Sequence, residues 1–198
     1  LQTHGSGAIA FQWGGQLVGN PSSQIDTVRV QNTWGSPSCG NVNCQASGFA
    51  AADLGTLVFP STSSQHDLRV GYLEVAEAGG SEVNRYRAVE LGGASLGFNE
   101  QHRAYYIERL SLAYGAKVTL APGRYWIGQL DMATNSQIRV AGGSARLMVG
   151  SSLSVPVQAR INGDDGGAGQ AEALQLFVRG NLTQAASSTI NALVYVDG

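Results

Sequence analysis

Apolar residues in this chain come in pairs that keep a fixed separation. Leu110 and Val118 are eight residues apart, as are Leu130 and Ile138, Leu153 and Ile161, and Leu182 and Ile190. The surrounding text reads LSLAYGAKVTL, LDMATNSQIRV, LSVPVQARI and LTQAASSTI: an apolar-x-apolar pair, a small or polar corner, then a second pair. The leading leucines recur after 20, 23 and 29 residues. A looser earlier copy is VELGGASLGF, in which Val89 and Leu91 are answered by Leu96 and Phe98. Each full copy follows another alternating run: AYYI, RYWI, RLMV or QLFV.

Period-two alternation puts one side of each strand inside. A unit of twenty-odd residues buries that side only by stacking on its neighbours. A stack of hairpins needs Asn-Gly or Asp-Gly turns between consecutive strands, and the corners here lack them. The pattern therefore predicts an all-β chain wound as a parallel (right-handed) β-helix or solenoid, with three short strands per coil. The corners fall at Gly, Ser, Asn and Ala, and coils hydrogen-bond along the stack at about 4.8 Å spacing.

The coils are expected over residues 68–198, behind a less regular β-rich N-terminal capping region at residues 1–67. In that region AIAFQW and IDTVRV read as strands, and GNPSS, WGSPSCGN and FPSTSSQ as loops. Residues 68–88 read equally as a first coil or a hairpin. NGDDGGAGQAEA, residues 162–173, is polar and glycine-rich and reads as a loop thrown out from a coil corner, which accounts for the longest interval. ALVYV closes the chain with no polar cap, so the coils are expected to continue past residue 198.

Alternation also sorts the outside. If Ile127 points inward, Tyr125 does too and Trp126 points out; the same rule turns Tyr106, Met148 and Phe177 outward. Stacking aligns Tyr106, Trp126, Met148 and Phe177 in one external column, too large an apolar patch to leave bare at no cost. Two readings remain open: the N-terminal segment or a flanking element covers it, or it is a face for a partner or ligand. A one-residue slip of register would invert the assignment.

Composition narrows the setting. Charged residues are 13% of the chain, glycines number 27, and Lys117 is the sole lysine. Such a Ser-, Thr-, Asn- and Gly-rich surface suits a secreted or cell-surface β-protein. A net charge of −2 with scattered arginines disfavours nucleic acid as a partner. No apolar run approaches the roughly 18 residues of a membrane span. The chain begins at Leu1 without a leader, and reads as a processed or excised fragment.

Cys39 and Cys44 flank Gly, Asn and Val residues in SPSCGNVNC. A local disulfide is the preferred reading; it implies an oxidising compartment and contributes about 2 kcal/mol. Zinc is the rival, but two thiols leave a tetrahedral ion short of ligands, and His4, His66 and His102 lack ligand spacing. Neither a metal nor another cofactor is expected.

Asp164 and Asp165 offer the paired carboxylates that glycoside hydrolysis needs. Pectinase-type β-helices use aspartates in this way, but their NTD triplet, HG step and RIK-like motif are absent, which favours solvated loop acids. A single GDDGGAG supplies too few oxygens for calcium. GxSxG, HExxH and a phosphate-binding glycine loop are also absent. No catalytic residues are expected.

SPSCGNVNCQASG, then LVFPSTSS, then LFVRGNLTQAASSTINALVYVDG resemble the MshQ family, large proteins encoded with the mannose-sensitive haemagglutinin (MSHA) type IV pilus machinery of Gram-negative bacteria. GRYWIGQLDMATNSQIRV and FVRGNLTQAASSTINALVYV match that family's coil phrases "YxxGxLxLxxxxxLxV" and "VxGxLxLxxxSxINAxIYA". The resemblance covers most of the chain and is strongest over residues 106–198. It implies an exported, non-catalytic component of pilus biogenesis or pilus-mediated adhesion, in the periplasm or at the cell surface. Its partners would be pilus or envelope proteins or surface glycans. The competing class is a carbohydrate-binding or polysaccharide-cleaving β-helix, which requires a cleft where Asp164 or Asp165 meets another carboxylate.

Overall fold

The computed structural model describes residues 2–4, 9–11, 65–80, 83–164 and 167–197. Its strands stack in parallel as a β-solenoid, as the alternation predicts. The long face is an eight-stranded sheet. From the first coil it runs through Asp67–Val70, Arg85–Leu91, Ala104–Leu112, Gly123–Met132, Ala145–Val149, Leu174–Arg179 and Leu193–Asp197 to Gln2–His4. A second face has six strands: Val75–Ala78, Ser95–Phe98, Lys117–Leu120, Gln137–Val140, Arg160–Ile161 and Thr189–Ile190. A short third face stacks Leu153–Val155, Leu182–Gln184 and Ile9–Phe11.

The ladders join the residues that share a place in the eight-residue pairs. Val118 pairs with Ile138, Ile138 with Ile161, and Ile161 with Ile190. Leu110 pairs with Leu130, and Leu153 with Leu182. All of these are buried except Ile190, which packs against the core while partly exposed. Each fully buried aliphatic side chain contributes about 1.5–3 kcal/mol by leaving water, so the ladders are the main cohesive element of the stack.

Two strands of the long face are long because they turn a corner. Along Ala104–Leu112 the alternation breaks at Glu108 and Arg109, which both face outward, so Tyr105 and Ile107 on one side and Leu110 and Leu112 on the other reach the same interior. Gly128 occupies the matching bend one coil on. A Cβ there would lie 2.6 Å from the Glu108 carbonyl oxygen, closer than a side chain can approach.

The corner that leads into the six-stranded face repeats in every coil. Leu73, Gly93, Gly115, Asn135, Gln158 and Ser187 all have positive φ, between 57° and 77°. Each precedes its residue of the Ala76–Leu96–Val118–Ile138–Ile161–Ile190 ladder by three positions. Several of these turns close with a bond from the residue after the positive-φ position, such as Ala116 N–H to the Ala113 carbonyl (3.1 Å) and Ser136 N–H to that of Ala133 (3.1 Å). Positive φ at the third residue is the type II turn geometry, which favours Gly or Asn. Leu73, Gln158 and Ser187 hold it against their steric preference.

Asp67–Val70 and Val75–Ala78 pair in parallel with the next strands of their faces, so residues 68–88 contain the first coil and not a hairpin. The 162–173 excursion carries more order than a plain loop. Gly163–Asp164 and Gly167–Ala168 form an antiparallel pair, and Ala171–Ala173 makes a 3-10 turn. At the opposite end of the stack from Asp67, Gln2–His4 pairs with Leu193–Asp197 and Ile9–Phe11 with Leu182–Gln184. Apart from residues 65–67, the rest of the expected cap, Cys39 and Cys44 included, lies outside the described residues.

Inside the coils, Tyr105 and Tyr125 stack with centroids 5.3 Å apart and planes 9° from parallel, and Phe98 meets both edge-on. The Tyr105 hydroxyl binds Asn99 (2.8 Å to Oδ1), and that of Tyr125 donates to the Ala121 carbonyl at 2.9 Å. Burial pushes both phenols up, Tyr105 to about 12. Further along, Asn162 donates through Nδ2 to the carbonyls of Asn191 (2.8 Å) and Gln170 (2.7 Å), and Asn191 returns a bond to the Asn162 carbonyl (3.3 Å).

Candidate functional site: an external column on the long face

Parallel pairing in register transmits a side chain's orientation from coil to coil, so a column once started continues. Tyr106 pairs with Trp126, Trp126 with Met148, and Met148 with Phe177. The four residues expected on one line share it. The line is longer than expected: Phe177 pairs with Tyr195, and Tyr106 with Arg85. Tyr195 was legible in the sequence, because the alternation in LVYV that buries Val194 and Val196 turns it outward.

The column is packed. The Arg85 guanidinium lies over the Tyr106 ring, 4.2 Å from its centroid, and that of Arg146 lies 5.6 Å from the Phe177 centroid. Phe177 and Tyr195 tilt against each other at 5.8 Å. Met148 is only 2% exposed and Tyr195 8%, although neither belongs to the inner core, while Tyr106, Trp126 and Phe177 keep part of their surface in solvent. Burial is therefore deepest at Met148, in the middle of the row, and at Tyr195.

On another flank the outward residues are charged and matched between rungs. Arg69 pairs with Glu90 (3.0 Å), Arg109 with Asp131 (2.9 Å), and Arg87 with Asp67. The bond to Arg87 holds the Asp67 carboxyl below the usual carboxylate range. Glu90 and Asp131 line one groove of about 620 Å³, each held by its arginine.

Among the described residues no other candidate pairs into the column. Asp164 lies in the short antiparallel pair, and Asp165 lies outside the described residues. His102 Nε2 is 3.1 Å from the Gly80 carbonyl oxygen. Among the described residues no three His, Cys, Asp or Glu side chains gather as a metal site would require, and no helix is long and apolar enough to cross a membrane.

Fold and column together define the class: a parallel β-solenoid carrying an external aromatic stripe. Residues 105–198 match a family described as a domain of unknown function (DUF8470). No curated protein and no solved structure matches the chain.

Proposed function

We propose that this protein is a non-catalytic, exported interaction scaffold of the bacterial envelope, of the kind encoded with MSHA-type pilus machinery, acting in pilus biogenesis or pilus-mediated adhesion. The observation that carries the reading is the column Tyr106, Trp126, Met148, Phe177 and Tyr195, held in register across successive coils. Tyr106, Trp126 and Phe177, the members of the row that keep surface in solvent, offer aromatic contact area on a rigid sheet at little entropic cost, the usual make-up of an interface anchor. The coil phrases GRYWIGQLDMATNSQIRV and FVRGNLTQAASSTINALVYV, with their resemblance to the MshQ family, supply the setting.

Deleting the gene in its own bacterium, then restoring it as wild type or as Trp126→Ala, tests the reading. Deletion should lower piliation or surface attachment, and Trp126→Ala should fail to restore it while the purified variant melts as the wild type does. Unchanged piliation and attachment after deletion would refute the assignment. A melting temperature lowered by many degrees in Trp126→Ala would make the column packing surface and not a contact face. Turnover of an acidic or neutral polysaccharide, abolished by Asp165→Asn, would replace the scaffold with a polysaccharide-cleaving enzyme.

A further inference from the structure

Beside the aromatic column, two residues earlier in each strand, runs a second outward line: Ala104, Arg124, Arg146, Gln175 and Leu193. Arg103, Arg124, Arg146, Ser144, Pro122 and Gln175 line a groove of about 620 Å³ there, and among the described residues no carboxylate contributes to its walls. The contrast with the other flank is direct, since Arg69, Arg87 and Arg109 each meet an acid on a neighbouring rung. Arg103 and Arg124 form no ion pair among the described residues, and Arg146 uses Nε to reach Gln175 Oε1 at 2.9 Å. Adjacent rungs lie about 4.8 Å apart, so the stack sets like charges side by side, with no acid among the described residues between them. That arrangement costs free energy unless an anion fills it.

We propose that this groove binds an acidic polysaccharide laid along the stack axis, each guanidinium taking a sugar carboxylate in its planar fork. The rung spacing of about 4.8 Å is close to the length of one sugar unit in an extended chain, so a polyuronate runs in step with the coils, and the long arginine side chains reach carboxylates on either side of its axis. An extended acidic peptide fits less well, because its rise of ~3.3 Å per residue runs out of step with the rungs. Single-stranded nucleic acid draws its affinity from stacking on open rings, and among the described residues no aromatic ring lines this groove. The proposal stands on different residues from the aromatic column and does not depend on the scaffold reading.

Affinity electrophoresis and titration calorimetry of the full chain against polygalacturonate test it, with dextran, polyglutamate and oligothymidylate as comparators. The chain should bind polygalacturonate and ignore dextran, with binding weakened severalfold by raising salt from about 0.05 M to about 0.3 M. Arg124→Gln/Arg146→Gln should weaken binding about tenfold or more with an unchanged melting temperature. Arg124→Lys/Arg146→Lys, which keeps the charge and loses the fork, should fall between the two and provides the reading if the glutamine variant melts lower. Failure to bind polygalacturonate, undiminished binding in both variants, or equal affinity for polyglutamate or oligothymidylate would overturn the proposal. Loss of this binding with Trp126→Ala behaving as above would leave the scaffold reading intact.

Discussion

In the coils up to residue 132, tyrosines reach from the interior to fasten the corner between the six-stranded face and the long face. Gly79 N–H donates to the Tyr86 hydroxyl at 3.0 Å, Tyr105 binds Asn99, and Tyr125 donates to the Ala121 carbonyl. In the later coils the rung that held Tyr105 and Tyr125 continues as Leu147, Leu176 and Val194, and the corner is fastened by Asn162 and Asn191 bonding across 29 residues of sequence. One end of the stack thus closes its corners with long amphipathic side chains from within, the other with short amides at the corner itself. Both satisfy backbone groups at the corner, though not the same ones, so the solenoid demands that corners be hydrogen-bonded and leaves open how.

The largest expected effect comes from converting one type into the other. Tyr125→Leu copies the residue one rung along, but removes a stacked ring and a buried hydroxyl and leaves space behind; it should cost about 3 kcal/mol in denaturant unfolding. A cost below about 1 kcal/mol would mean that the two ends are interchangeable. Asn162→Ala should cost about 2 kcal/mol, because it strands the carbonyls of Asn191 and Gln170 and keeps a left-handed φ of 56° without the amide that tolerates it. Asn162→Gly, which relieves the dihedral alone, should recover only part of that loss.

A smaller effect, about 1 kcal/mol at neutral pH, is expected for Tyr105→Phe, which keeps the stack and removes the bond to Asn99. Its pH dependence sharpens the comparison. The folded state holds the Tyr105 phenol protonated up to about 12, above its ordinary value of 10.0. The associated stability is fully present below pH 10 and is lost as the pH rises from about 10 towards 12, since the unfolded chain ionises first. Thermal melts across that window should fall more steeply for the wild type than for Tyr105→Phe; parallel curves would detach Tyr105 from the alkaline transition. The smallest effect expected is a gain. Gln158→Gly should add about 0.5 kcal/mol, because relief of its positive φ of 59° slightly outweighs the extra freedom of glycine when unfolded.

The interior was largely legible in the sequence. The eight-residue pairs placed Leu110, Val118, Leu130, Ile138, Leu153, Ile161 and Leu182 in the core, where they are. The alternation that buried Tyr125 and Ile127 also turned Trp126 outward. The corner residues were legible as a class, but Gln158 and Leu73 carry no turn signal and adopt left-handed geometry because the coil closes there. The arginine line escaped notice because Arg124 and Arg146 are separated by 22 residues in a chain whose arginines look scattered.

What the sequence alone determined is the inside and outside of each strand, because alternation is a property of a few consecutive residues and the pleat converts it directly into two faces. Which outward residues stand together was decided only by the tertiary structure. Coil lengths vary, as the leucine intervals of 20, 23 and 29 show, and rungs align only after each corner and the 163–168 excursion has absorbed its extra residues. That alignment sets Trp126 on Met148, Asn162 on Asn191 and Arg124 beside Arg146, because hydrogen bonds between coils match strands to strands, whatever the chain length that separates them.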